Sequence, residues 1–138
     1  VFDFKGQRVW ARQINPERNN PEIRNDGGDL WILGFKTEFA NINFHTLNGG
    51  RTEVLGGTMN NVIGEGNLPP AILNENSQVS VVCGTTDVRA GRLGWRELIR
   101  ETRGEHTRVM RFGDLPAREG QMIALPLYVG RADEERQS

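Results

Sequence analysis

The side chains able to do chemistry are few, and their spacing decides little. His45 and His106 are the two histidines. Neither has a second His or Cys at the spacing of a metal site, so both read as structural or solvated. Glu38 and Glu53 are the pair to weigh for glycoside cleavage, which needs two carboxylates roughly 5–9 Å apart. They hold different places in the pattern described below and read as surface carboxylates. Arg51 and Glu53 lie two apart, so on a strand they share an outward face as a weak surface pair. Asn25-Asp-Gly-Gly-Asp29 has the look of a calcium loop, but Ca²⁺ takes six or more oxygens and one short turn does not supply them. No metal and no other cofactor is expected. Cys83, the single cysteine, lies in Ser80-Val-Val-Cys-Gly84 and reads as a small buried hydrophobe rather than a nucleophile.

The richest candidate surface is the stretch Asp87–Leu98. Arg89, Arg92, Trp95 and Arg96 together would make an aromatic and cationic shelf for an acidic sugar, since a planar ring offers apolar area to a sugar face and Arg pairs bidentately with a carboxylate. The plainer reading packs Trp95 down on the flank of the fold and leaves the arginines solvated.

The elements that would position these groups are written repetitively. Windows beginning at Gly6, Gly28, Gly50, Gln78 and Glu105 recur about every 22–28 residues. Their fifth residues are Trp10, Ile32, Val54, Val82 and Val109, and their sixth are Ala11, Leu33, Leu55, Cys83 and Met110; every one is apolar. Polar turns precede four of the windows: Asn25-Asp26-Gly27, Leu47-Asn48-Gly49, Glu75-Asn76-Ser77 and Thr102-Arg103-Gly104. Asn, Asp and Gly tolerate the left-handed backbone that sharp corners need. The apolar words are too short for helices and rich in Val, Ile, Leu and Trp, so they read as strands.

Short strands at this period, with no helix-length segment between them, predict an all-β fold: a right-handed parallel β-helix (β-solenoid) of about five coils of 22–28 residues. The column Trp10, Ile32, Val54, Val82 and Val109 is expected to line its interior. Asn60–Leu73, with Gly64, Gly66, Pro69 and Pro70, and Asp87–Leu98 read as excursions between coils. Met122–Val129 carries Pro126, which removes a ladder donor, and suits an edge or capping strand. Residues 1–129 are expected to form the β-helix segment with that cap, and 130–138 a flexible charged tail.

Val9–Glu17, Leu30–Glu38, Asn48–Gly57 and Arg100–Arg108 resemble the C-terminal coils of bacterial pectate-lyase-superfamily proteins, which fold as right-handed parallel β-helices. The resemblance covers about Val9 to Arg111. It implies a secreted or cell-surface origin and a relation to polysaccharides. No catalytic residue carries over: the family's Asp cluster for Ca²⁺, its Arg base, and the N-T-D, D-D and G-H-G sets of related polygalacturonases do not occur here. The six Asp, at 3, 26, 29, 87, 114 and 133, are scattered.

The totals are consistent with a single domain of 138 residues, 36% hydrophobic and 25% charged. With 17 basic and 18 acidic residues and a formal charge of −1, the chain has no electrostatic footprint for nucleic acid. No apolar stretch approaches the roughly 20 residues a membrane span needs. The expectation is a non-catalytic scaffold or binding segment of an extracellular polysaccharide-associated protein, with acidic polysaccharide as its partner. The alternatives are part of a lyase or hydrolase whose catalytic residues lie outside this chain, and a structural subunit stacking end to end. The N-terminal coil, where Val1, Phe2 and Phe4 run straight into the first window, is expected to be covered by preceding chain or another subunit.

Overall fold

A computed structural model describes residues 1–61, 68–87, 95–111, 114–115 and 122–131, with the backbone alone at 61, 86–87 and 122–127. The polar corners cut the chain into short strands, most of them dealt alternately to two sheets. The first sheet runs β1 (Phe2–Lys5), β3 (Ile23–Asp26), β6 (Phe44–Leu47), β8 (Ile72–Glu75), β10 (Glu97–Arg103) and β11 (His106–Arg111), in that spatial order. The second runs β2 (Arg8–Ala11), β4 (Asp29–Leu33), β7 (Arg51–Asn61), β9 (Gln78–Asp87) and β12 (Met122–Gly130), with β5 (Lys36–Thr37) paired beside β7.

The corners behave as their residues dictate. Gly27, Asn48 and Asn76 sit at φ of 70°, 54° and 48°, and at each the chain passes from the first sheet to the second. Asn25 secures one such corner. Its Oδ1 accepts from the Gly28 amide at 3.0 Å, and its Nδ2 donates to the Arg51 carbonyl at 2.8 Å and to Thr52 Oγ1 at 3.0 Å. A second corner turns at Gly56 and Gly57. At Gly57, φ is 125°, and an added Cβ would strike the Phe35 ring and come within 2.6 Å of the Phe35 carbonyl oxygen.

The parallel β-helix of about five coils is not what forms. The chain makes two mixed, mostly parallel, six-stranded sheets. The departure is clearest in the last third. The window at Glu105, expected to stack on the one at Gln78, instead turns back at Gly104 (φ 53°) and pairs antiparallel with β10 in the first sheet. Beside β9 in the second sheet lies β12, also antiparallel, with Leu125 and Tyr128 flanking a break in register that contains Pro126. Its place at the sheet edge agrees with the lost ladder donor of that proline.

The proposed interior column also fails, because two window anchors are one residue off. The register is Ala11–Ile32–Val54–Val81, with Trp10 beside Trp31 and Leu55 beside Val82. A slip of one residue moves a side chain to the opposite face. Trp10 is therefore 70% exposed and Val82 37%, while Val81 is fully buried. The true core lies between the sheets. Ile23, Phe44, Ile72 and Ile99 come from the first, and Leu30, Ile32, Val54, Val79 and Val81 from the second.

Candidate functional site

The outward face of the second sheet collects the groups best suited to a ligand. The ladder registers place Trp10, Trp31, Glu53, Ser80 and Val129 in one row across β2, β4, β7, β9 and β12. Trp10 and Trp31 stand face to face, ring centroids 5.1 Å apart and planes within 5° of parallel. Beside them runs the row Arg8, Asp29, Arg51 and Gln78, with Arg8 Nε 3.2 Å from Asp29 Oδ2. On the other side Leu33, Leu55 and Val82 form an exposed apolar row, 53%, 45% and 37% accessible.

Between Trp31 and the end of β12 the row holds only Glu53 and Ser80, and the short side chain of Ser80 leaves space. A shallow groove of about 480 Å³ lies there, lined by Trp31, Arg51, Glu53, Gln78, Ser80 and Arg131 among others. It offers one aromatic wall and a mixture of donors and acceptors. Glu53 is the only carboxylate among the described residues that line it, so the described lining offers it no second carboxylate as partner for glycoside cleavage. Glu38 lies beyond the Gly56–Gly57 corner of the neighbouring strand, bonded to Lys36. Arg51 and Glu53 do share the outward face, though no ion pair joins them among the described residues.

Past Val129 the groove meets a second cleft, of about 310 Å³, lined by Glu101, Arg103, His106, Arg108, Val129 and Arg131. Val129 and Arg131 belong to both. The Tyr128 hydroxyl donates to Glu101 Oε2 at 2.7 Å, and Arg103 Nε lies 3.2 Å from Glu101 Oε1. Burial holds the Tyr128 phenol above its ordinary pKa, so at neutral pH it remains a donor.

The residues singled out from sequence fall elsewhere. Trp95 is a core residue, 1% exposed, and its indole Nε1 donates to the Asn41 carbonyl at 3.0 Å. No face of that ring is open to a sugar, so Trp95 does not serve as the shelf. Arg96 is exposed beside it, and Arg89 and Arg92 lie outside the described residues. His45 is half-buried and meets Glu75 Oε2 at 2.8 Å on the outward face of the first sheet. Asp26 faces Asn48 Nδ2 at 2.6 Å and Arg24 at 2.9 Å; the Asn48 hydrogen bond first, and Arg24 after it, hold its carboxyl below the ordinary value. Among the described residues no three His, Cys, Asp or Glu side chains cluster as metal ligands would. Cys83 is buried, and desolvation pushes its thiol up to about 12, which leaves it a poor nucleophile.

One buried acid was not foreseen. Glu22 precedes β3 and is wholly buried; its Oε1 meets Asn41 Nδ2 at 3.5 Å, and its Oε2 has no partner. Desolvation raises its carboxyl to about 7 against the weaker opposing pull of the Asn41 hydrogen bond, with Glu17 adding to the rise.

The chain matches no protein-family model, no curated protein and no solved structure.

Proposed function

We propose that the chain is a non-catalytic, saccharide-binding segment of an extracellular, polysaccharide-associated protein. The observation that carries this reading is the Trp10–Trp31 stack, whose outer ring is 70% exposed and whose inner ring walls the groove over Glu53 and Ser80. A large exposed aromatic normally costs solubility, and a ring beside convergent polar groups is a common way to hold a sugar's apolar face while its hydroxyls find partners. The polysaccharide and the secreted or cell-surface setting rest on the likeness of short words within Val9–Arg111 to pectate-lyase-superfamily sequences, and not on a shared fold. Electrophoretic retardation of the chain in gels cast with soluble plant or bacterial polysaccharides tests the reading. Retardation by at least one of them, abolished by the free oligosaccharide, is the expected result; unretarded migration in all would overturn it.

Both sheets finish in edge strands at each end, and the N-terminal pair is the one we take to be covered. β1 and β2 are edge strands of their sheets, with no strand beyond them among the described residues, and Phe2 is 45% exposed. At the far end the antiparallel strands β11 and β12 flank the parallel ladders. Preceding chain or another subunit covers the open edges in the working protein. Light scattering that shows a clean monomer at high concentration, with the β1 amides protected from exchange, would contradict this.

A further inference from the structure

We propose that the outward face of the second sheet binds a second copy of this chain about a two-fold axis that runs along the strands between β4 and β7. The Trp10–Trp31 stack of each copy then fills the slot over Glu53 and Ser80 of the other. That slot is the groove already described, so a sugar and a second copy compete for it, and either can bind without the other.

The face gathers most of the exposed apolar bulk. Seven large apolar side chains stand exposed among the described residues, and five of them, Trp10, Leu33, Leu55, Val82 and Val129, lie here. Apolar side chains collected on one face mark an interaction surface, whereas single exposed ones do not. The relief of the face selects the occupant. Its central row, Trp10, Trp31, Glu53, Ser80 and Val129, is tall over β2 and β4, where two indoles stack. The row is low over β7 and β9, where the groove of about 480 Å³ opens. A two-fold axis along the strands keeps their direction and reverses their order. Set between β4 and β7, it brings Trp31 over the second copy's Glu53 and Trp10 over its Ser80, tall against low, and the reverse holds in return. Sheets packed face to face lie about 10 Å apart, so a protruding indole needs such a slot.

The neighbouring rows obey the same axis. Asp29 comes opposite the second copy's Arg51, and Leu33 opposite its Leu55. Arg51 is exposed and forms no ion pair among the described residues, so its charge is available to the second copy. Other placements set like against like. An axis on β4 faces Asp29 with Asp29, and one on β7 faces Arg51 with Arg51 and Glu53 with Glu53, which costs affinity. An axis across the strands through the tryptophan row lays the charged row on Leu33, Leu55 and Val82. One between β2 and β4 leaves the slot and Val82 uncovered. The contact belongs to the sheet face and is separate from the edges of β1 and β2.

The test is sedimentation velocity of the full chain over a series of concentrations, which should show a monomer–dimer equilibrium. Ser80→Trp, which closes the slot, and Trp10→Ala, which removes what fills it, should each weaken the dimer by about tenfold or more. Asp29→Lys and Arg51→Glu should each weaken self-association by about tenfold or more, because each faces two like-charge pairs across the axis. Mixed in equal amounts, these two variants should form a heterodimer close to the parent in affinity, since both cross-axis pairs are then of opposite charge. All four positions are on the outward face, and equal melting temperatures check that the fold survives. A monomer at every concentration would overturn the proposal. So would a dimer indifferent to the four substitutions, or charge variants that fail to associate when mixed. Gel retardation by a saccharide is read separately and bears on the sugar alone.

Discussion

Trp10 and Trp31 occupy the same register position on β2 and β4, one strand apart, and their rings stack 5.1 Å apart on the solvent side of the second sheet. The parallel ladder enforces the stack, because in-register strands about 4.8 Å apart set identical side chains at near ring-stacking distance. Trp10 therefore adds area beside Trp31 without entering the core. Trp10→Ala should lower the melting temperature by little, and should weaken saccharide binding less than loss of Trp31 would. Thermal melts and titrations of this variant check both.

Trp95 is expected to behave in the opposite way. It fills the core at 1% exposure and caps the Asn41 carbonyl. Trp95→Ala should cost about 3–5 kcal/mol, the range for removing a large aromatic from a packed interior. Binding per folded molecule should be unchanged. Denaturant unfolding, paired with titration below the midpoint, reads both quantities; intact stability with lost affinity would restore the shelf reading.

The register can be tested on adjacent columns. Val54 is wholly buried between Ile32 and Val81, whereas Val82 is 37% exposed beside Leu55. Val54→Asp buries an unpaired charge and should leave the chain unfolded or insoluble. Val82→Asp should stay folded, within about 1 kcal/mol of the parent. Soluble expression and circular dichroism distinguish the two, and equal damage from both would refute the alternation.

Glu22 gives the fold a pH dependence. Its folded carboxyl titrates near 7, against an ordinary 4.5 in the unfolded chain. The folded state thus holds the proton more tightly. This contribution to stability is fully present below about 4.5, declines as pH rises toward about 7, and is absent above that. Its size is on the order of 2–3 kcal/mol. Glu22→Gln should remove that slope and raise the melting temperature at pH 8, where the parent must either bury a charge or open. A parent whose melting temperature climbs steadily from pH 4.5 to 7, with no gain from Glu22→Gln, would contradict the burial.

Much of the local structure was legible in the chain. Asn48 and Asn76 adopt the left-handed corner their side chains favour, and the Val- and Ile-rich words after the corners are strands. The long-range arrangement was not, for two physical reasons. Two consecutive apolar residues cannot both face inward on a strand, so pairs such as Ile32-Leu33 and Val54-Leu55 leave the buried member undecided; the anchors at Gly6 and Gln78 then select Trp10 over Ala11 and Val82 over Val81. The last strands depart from the sequence expectation because Arg103-Gly104 reads as a corner in either case, and only the pairing partner decides between a new layer and a hairpin. The candidate site shared that fate. The repeat pattern places Trp10 in the interior and so conceals its stack with Trp31, and the cleft of Arg103, His106, Arg108 and Arg131 exists only once the β10–β11 hairpin meets the end of β12. Glu22 was invisible because a carboxylate in a polar loop is ordinarily solvated.

The proposed function requires the Trp31 groove to hold a saccharide. The direct measurement is calorimetric titration of the parent and Trp31→Ala with the oligosaccharide that retards the chain in gels, each protein melting as a single folded species. An aromatic contact with a sugar ring, valued at about 1–1.5 kcal/mol, predicts about a five- to tenfold loss of affinity in the variant. Equal affinity for the parent and the variant would contradict it.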